Sequence, residues 1–220
     1  MKIFNRICSV VVVFSMAFFI VSFAQNMLLR SSSVYAFYFN DSQAVDSIYT
    51  ELSNAEMAEA IAGFMNSWRP DRFEVLEDTG YDKENIFTEE EGENMMKVKQ
   101  ALDISGLLCV VSFILTASIY FHFLRDGKKK VLFDAHKFSL GLVVTMGICE
   151  AVFMSTHGGR KQLLSLIGIA PLHENSQLLA ILGADFIHMA TVFLVVLTLI
   201  VTIIMTYISY ALTKPPRIFY

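Results

Sequence analysis

Residues 104–124 form an apolar run without any Asp, Glu, Lys or Arg, and a basic cluster follows it directly. A helix needs about 20 apolar residues to cross a bilayer, so this run predicts a membrane span. The cluster consists of Arg125, Lys128, Lys129 and Lys130. Short loops rich in Lys and Arg stay in the cytoplasm, so the cluster predicts which end of the span faces inward.

Three further apolar runs complete the predicted topology. The chain is 55% hydrophobic, which is too apolar for a soluble domain of 220 residues. We expect an all-α membrane protein with four transmembrane helices, both termini in the cytoplasm, and a small extracytoplasmic α+β cap between the first two spans. The predicted segments are a cytoplasmic N-terminus (1–6), spans at 7–24, 104–124, 138–155 and 185–212, the cap (31–100), a cytoplasmic basic loop (125–137), an extracytoplasmic loop (156–178) and a cytoplasmic tail (213–220).

Two of these segments have alternative interpretations. Residues 7–24 are long enough for a retained membrane anchor, whereas residues 22–24 fit the cleavage site of a signal peptide. Either interpretation places Ser31 outside. Residues 163–170 are apolar but too short to cross, which is typical of an interfacial or re-entrant segment.

The cap is strongly acidic, with fifteen Asp and Glu against five Lys and Arg in residues 31–100. This balance excludes nucleic acid as a partner. Residues 34–39 are aromatic and β-prone, so they form either a strand or a foot on the membrane surface.

Three further local patterns predict secondary structure in the cap. Ser53 and Glu56 have the spacing of a capping box, which predicts a helix over residues 54–66. The alternation in residues 72–76 predicts a short strand. Three acids at residues 89–91 suit the first turn of a helix, which we expect to continue unbroken into the second span.

No cofactor or metal ion is expected from the sequence. Cys8, Cys109 and Cys149 are scattered in apolar stretches and provide neither a disulfide framework nor a zinc site. The motifs of serine hydrolases, zinc proteases and nucleotide-binding loops are absent from the sequence.

Ionisable side chains in or beside the predicted spans are the functional candidates, because such groups are costly in lipid. Glu150 lies near the outer end of the third span, and we expect it to pair with His157, His188 or Arg160. Asp185 and His188 are three residues apart and share a helical face. They either contribute to a site or pair to hold two helices together.

Asp103 and His157 lie at membrane boundaries, where ordinary interfacial residues are also common. Together with Glu150, Asp185 and His188, they are predicted to lie at the level of the outer leaflet. A histidine with carboxylates nearby is the minimum for general acid–base chemistry, since imidazole transfers a proton and a carboxylate orients it.

Three segments and the order of the spans resemble a known family. The segments are residues 87–101, which lead into the second span, residues 150–157, and residues 178–189. They are similar to the small integral membrane proteins of Gram-positive bacteria that include the lipoprotein intramolecular transacylase Lit. The resemblance implies transfer of an acyl chain from the diacylglyceryl group of a lipoprotein to its N-terminal amine, with two histidines moving protons.

The family residues carry over only in part. His157 matches one family histidine, but the other falls on Asn94, and an amide cannot act as a general base. Residues 158–161 stand where the family has an aromatic and proline segment. The resemblance implies that His157 would transfer the proton and that Glu150 would orient it.

The expected partners are membrane lipid and either a lipoprotein substrate or another envelope protein. Arg160, Lys161, Asp185 and His188 are the predicted lipid- or substrate-binding residues, and either of the first two suits a lipid phosphate. Because of Asn94, we expect a catalytically degenerate family member that acts as an envelope scaffold or partner subunit. The alternative is a lipoprotein acyl transferase at the outer leaflet.

Overall fold

The structure is a computed structural model that describes residues 2–48, 50–68, 72–78, 83–170, 172–173 and 175–214. Residues 215–220 of the predicted tail lie outside this part of the chain. The described residues form eight α-helices, one short 3-10 helix at Val45–Ser47 and one pair of strands. The helices are α1 (Lys2–Leu29), α2 (Ser32–Ser42), α3 (Asn54–Asn66), α4 (Glu89–Arg125), α5 (Lys129–Ser155), α6 (His157–Leu166), α7 (Gln177–Leu182) and α8 (Ala184–Thr213).

Four helical stretches are long and apolar enough to cross a membrane. They are Ile3–Leu29, Glu89–Arg125, Lys129–Ser155 and Gln177–Thr213. The fold is therefore that of an all-α membrane protein with four transmembrane helices and a small α+β segment between the first two, as the sequence predicts. The contacts divide the chain into two units.

The first unit comprises Met1–Ala24, Ser105–Glu150 and Val195–Tyr220. It contains most of α1, α4, α5 and α8, and its core is a cluster of apolar side chains that includes Met16, Phe123 and Leu132. Large apolar side chains such as Val144 and Leu199 are exposed on its outer surface, as expected for helices that face lipid tails.

Polar side chains connect the helices of the first unit. The hydroxyls of Ser15 and Thr116 lie 2.8 Å apart, and a ring nitrogen of His136 lies 3.2 Å from the Thr206 hydroxyl. In lipid such groups need internal partners, so these contacts fix the register of neighbouring helices.

The second unit comprises Gln25–Ile104 and Ala151–Leu194. Helix α3 buries Met57, Ile61 and Met65, which follow the helical spacing. The capping box that starts α3 is confirmed, because the Glu56 backbone N–H donates to the Ser53 hydroxyl and the Ser53 N–H donates to the Glu56 carboxylate. Helix α4 is also continuous from Glu89 to Arg125, as predicted.

Of the two alternatives for residues 34–39, the strand is wrong, because these residues lie inside α2. Tyr35, Tyr38 and Phe39 are the buried residues of that helix, and their spacing matches one helical face. Tyr35 and Tyr38 also pack against Phe186 of α8, with the rings of Tyr35 and Phe186 stacked at 5.4 Å. Burial of these aromatic rings outweighs their intrinsic β-propensity.

The strand predicted over residues 72–76 begins later in the structure. Strand β1 is Leu76–Asp78 and pairs antiparallel with β2, Lys83–Asn85. Phe73 and Val75 are buried, so the alternation in the sequence is real. The ladder itself starts only at Leu76, which pairs with Asn85.

Two connections differ from the predicted boundaries. The basic loop predicted at residues 125–137 is only three residues long, because α5 begins at Lys129. The buried side chains of Leu132, His136 and Ser139 recur at helical spacing, which explains this early start. The region of the fourth span is interrupted at Gly183, between α7 and α8.

Gly183 has no room for a side chain, since a Cβ there would lie 2.3 Å from the Leu179 carbonyl oxygen. We expect Gly183→Ala to reduce the free energy of unfolding by about 1–3 kcal/mol, the usual cost of overpacking. Thermal unfolding of the purified protein in detergent measures this change.

The matched control is Gly63→Ala in α3, where an added Cβ meets no atom within 4 Å. Alanine is favoured over glycine inside a helix by up to about 1 kcal/mol, so this control should be neutral or stabilising. Equal stability of the two variants would contradict the lack of room for a side chain at Gly183.

Candidate functional site

Asn94 is a buried amide that holds the backbone of Ala170. Its side chain is 2% exposed on α4. The Nδ2 group donates to the Ala170 carbonyl oxygen at 3.1 Å, and the Oδ1 atom accepts from the Ala170 N–H at 2.9 Å. Both halves of the amide are therefore used to hold the segment that connects α6 to α7.

Glu91 lies one turn before Asn94 and is a buried carboxylate with four hydrogen-bond donors. One oxygen accepts from the Ser176 hydroxyl and from the Leu178 N–H at 3.0 Å. The other accepts from the Thr88 N–H at 2.8 Å and from the Thr88 hydroxyl at 3.0 Å. The carboxylate thus completes the first turn of α4 and binds the N-terminal end of α7, where a negative charge is favourable.

These bonds also set the ionisation of Glu91, which precedes the apolar run at residues 104–124. Burial alone raises the pKa of the carboxyl group, but the hydrogen bonds from Ser176, Leu178 and Thr88 lower it by more. The pKa of Glu91 therefore lies below the ordinary glutamate value. An ionised carboxylate with this many donors serves as an acceptor and has no proton to give.

Three charged side chains form a second cluster at the end of α3, in which Lys99 is buried, Arg30 is half-buried and Asp103 is exposed. Asp103 accepts from Arg30 at 2.6 Å and from Lys99 at 3.2 Å. Lys99 is 3% exposed and also donates to the Ser67 carbonyl oxygen at 2.6 Å. Arg30 donates to the carbonyl oxygen of Met65. The two cations thereby cap the last carbonyls of α3, where the helix dipole favours positive charge.

Helix α6 brings three of the predicted site residues onto one face. His157 is its first residue, and Arg160 and Lys161 follow at helical spacings of three and four. His157 and Lys161 are exposed, whereas Arg160 is half-buried. The tight turn into α6 depends on Gly159, because a Cβ there would lie 2.4 Å from the Phe153 carbonyl oxygen.

The other predicted residues lie elsewhere. Asp185 and His188 are exposed in the first turns of α8. Within the part of the chain that the structure describes, they form no ion pair with each other. Glu150 is half-buried in α5 and belongs to the first unit, and its proposed pairing with His157 stays a prediction.

Sequence reasoning did not single out Arg30, Glu91 or Lys99 as site residues. The i, i+4 spacing of Lys99 and Asp103 was a readable signal for an ion pair on α4. The spacing of Thr88 and Glu91 was a readable capping box. Nothing local in the sequence connects Glu91 with Ser176 or Arg30 with Asp103, since these pairs are distant along the chain.

The described residues define a membrane protein with four spanning helices. In its second unit, the buried side chains of Glu91, Asn94 and Lys99 hydrogen-bond to distant segments, and α6 is an exposed basic helix. No family model matches the chain, and no curated protein sequence matches it. Solved structures do match it in fold. Three in meso structures of the membrane integral lipoprotein intramolecular transacylase Lit from Bacillus cereus superpose with TM-scores of 0.74, 0.75 and 0.76.

The superposition extends over nearly the whole of both proteins. It covers 97% of this chain and 98%, 93% and 95% of the three Lit chains, at 13% sequence identity. In two of these structures a histidine is replaced, by arginine in one and by alanine in the other. The chain therefore has a Lit-like fold.

The hydrogen bonds that Glu91 accepts lead to a prediction about stability. Glu91→Ala leaves the Ser176, Leu178 and Thr88 donors without their acceptor, which should cost on the order of 3 kcal/mol of unfolding free energy. We expect faster amide hydrogen exchange in residues 175–182, measured by mass spectrometry in detergent.

The neighbouring exposed Glu90 provides the control, since Glu90→Ala removes one acid of the same turn and leaves the hydrogen bonds of Glu91 in place. Its exchange should match that of the unmodified chain. The same exchange in both variants would show that Glu91 does not hold α7.

Proposed function

We propose that this chain is a Lit-like membrane protein that acts as a non-catalytic scaffold or partner subunit for another envelope protein. One observation carries the proposal: both hydrogen-bonding groups of Asn94 are engaged by the Ala170 backbone. Asn94 falls at a histidine position in the family resemblance. An amide held in this way cannot exchange protons with a substrate.

The acidic cap is the proposed binding surface. Glu51, Glu59, Glu90 and Glu93 are exposed in the second unit. Their charge favours a partner with a basic surface, since complementary charge steers association and suppresses wrong partners. The proposal places this cap outside the cytoplasm, on the basis of the basic cluster that follows residue 124.

Lipoprotein acyl transfer is the second candidate, and the exposed face of His157, Arg160 and Lys161 favours it. In that reaction the N-terminal amine attacks the ester carbonyl, a C–N bond forms and the ester C–O bond breaks. His157 would accept the amine proton and return it to the departing alkoxide. Arg160 or Lys161 would bind an anionic lipid group.

Lipoprotein analysis separates the two candidates. The chain is expressed in a bacterial host without N-acylating enzymes, and the N-termini of its lipoproteins are analysed by mass spectrometry. Because Asn94 offers no base, we expect no N-acylated lyso-form lipoproteins.

The control in the same host is Bacillus cereus Lit, the structural neighbour named a lipoprotein intramolecular transacylase. Lyso-form lipoproteins made by the unmodified chain, and lost in His157→Ala, would refute the non-catalytic proposal. Asn94→His tests whether restoring the imidazole is sufficient for activity.

Cysteine labelling tests the proposed orientation. In a variant without Cys8, Cys109 and Cys149, Glu59→Cys should react with an impermeant maleimide in intact cells. Lys130→Cys, in the first turn of α5, should react only after lysis, since the positive-inside rule keeps the connection between α4 and α5 in the cytoplasm. Both positions are exposed in the structure, so burial does not limit the labelling. The reverse pattern would overturn the orientation.

A further inference from the structure

Trp68 is the only tryptophan in the chain, and its side chain is 99% exposed. It comes directly after Ser67, the residue that caps the C-terminus of α3. Scattered apolar side chains on a protein surface are ordinary and require no explanation. Trp68 differs from them because hydrogen bonds hold the end of α3 beside the point at which α4 changes from polar to apolar residues.

Lys99 of α4 holds the end of α3 at this point. Its Nζ atom donates to the Ser67 carbonyl oxygen at 2.6 Å and to Asp103 at 3.2 Å. Asp103 is the last charged residue before the apolar run at residues 104–124. The backbone immediately before Trp68 therefore lies beside the residues at which α4 changes from polar to apolar.

Arg30, which directly follows α1, holds the end of α3 at the same place. It follows the apolar run at residues 7–24 and donates to Asp103 at 2.6 Å and to the Met65 carbonyl oxygen. The Asn66 side chain donates back to the Arg30 carbonyl oxygen at 2.8 Å. Helix α4 and the residue that follows α1 thus both hold the end of α3, each through its own hydrogen bonds.

We propose that Trp68 inserts its indole ring into the headgroup region of the bilayer and anchors the α3 end of the cap to the membrane surface. Indole has an apolar body and one N–H donor, and tryptophan is enriched at membrane–water interfaces for this reason. Arg30 and Lys99 share one carboxylate, so the cluster beside Trp68 keeps a net positive charge. That charge complements the lipid phosphates at the same depth.

Fluorescence of the single tryptophan tests the anchor directly in the full chain. The protein is reconstituted into phosphatidylcholine vesicles, with and without brominated acyl chains. Brominated lipid should reduce Trp68 emission, and more strongly when the bromine lies near the glycerol end of the chain. Aqueous iodide should have little effect, and the emission should lie at shorter wavelength than that of a hydrated indole.

A second variant provides the comparison on the same helix. Trp68→Phe combined with Glu59→Trp moves the only indole to an exposed position of α3. Iodide should quench this variant strongly, and brominated lipid should have little effect. The comparison does not depend on any acyl-transfer activity or protein partner.

Three results would overturn the proposal. The first is strong iodide quenching of Trp68 without quenching by brominated lipid, which would place the indole in water. The second is protection from both quenchers, which would indicate that protein, such as a second copy of the chain, covers the ring. The third is equal quenching of both positions by brominated lipid, which would remove any special role of Trp68.

Discussion

A polar group buried inside a protein must find its hydrogen-bond partners there, and this constraint governs the stretch of α4 that leads into the apolar run. Three buried polar side chains lie on this stretch, and each one is satisfied by a different part of the second unit. Glu91 binds the start of α7, Asn94 binds Ala170, and Lys99 binds the end of α3. Because the polar groups need these partners, the segments around α4 are held in fixed positions.

The same hydrogen bonds limit the chemistry that this stretch of α4 can perform. A carboxylate with four donors, an amide paired with both groups of one residue and a lysine bound to two oxygens are all engaged. Their substitution would leave buried groups without partners, which is costly in a low-dielectric environment. The exposed candidate side chains of this unit lie elsewhere: His157 and Lys161 share a face of α6 with half-buried Arg160, and Asp185 and His188 lie in the first turns of α8.

The four spans and the helices at residues 54–66 and 89–125 were predictable because their signals are local. Apolar length, helical spacing and capping boxes each depend on a few neighbouring residues. The helix at residues 32–42 was not predictable from propensity, since its aromatic residues favour strands and their packing partner Phe186 is distant along the chain. The hydrogen bonds of Glu91 and Asn94 to other segments could not be predicted from the sequence either, because these partners lie more than seventy residues away along the chain.

The Ala170 contact explains why an amide suits position 94 and why an imidazole does not replace it. An amide presents a donor and an acceptor side by side, and these match the N–H and C=O of one residue. A neutral imidazole also has one donor and one acceptor, but its two nitrogens point away from each other. It cannot make both bonds to Ala170. At this position, holding the loop and transferring a proton are therefore competing roles, and the geometry of Asn94 serves the first.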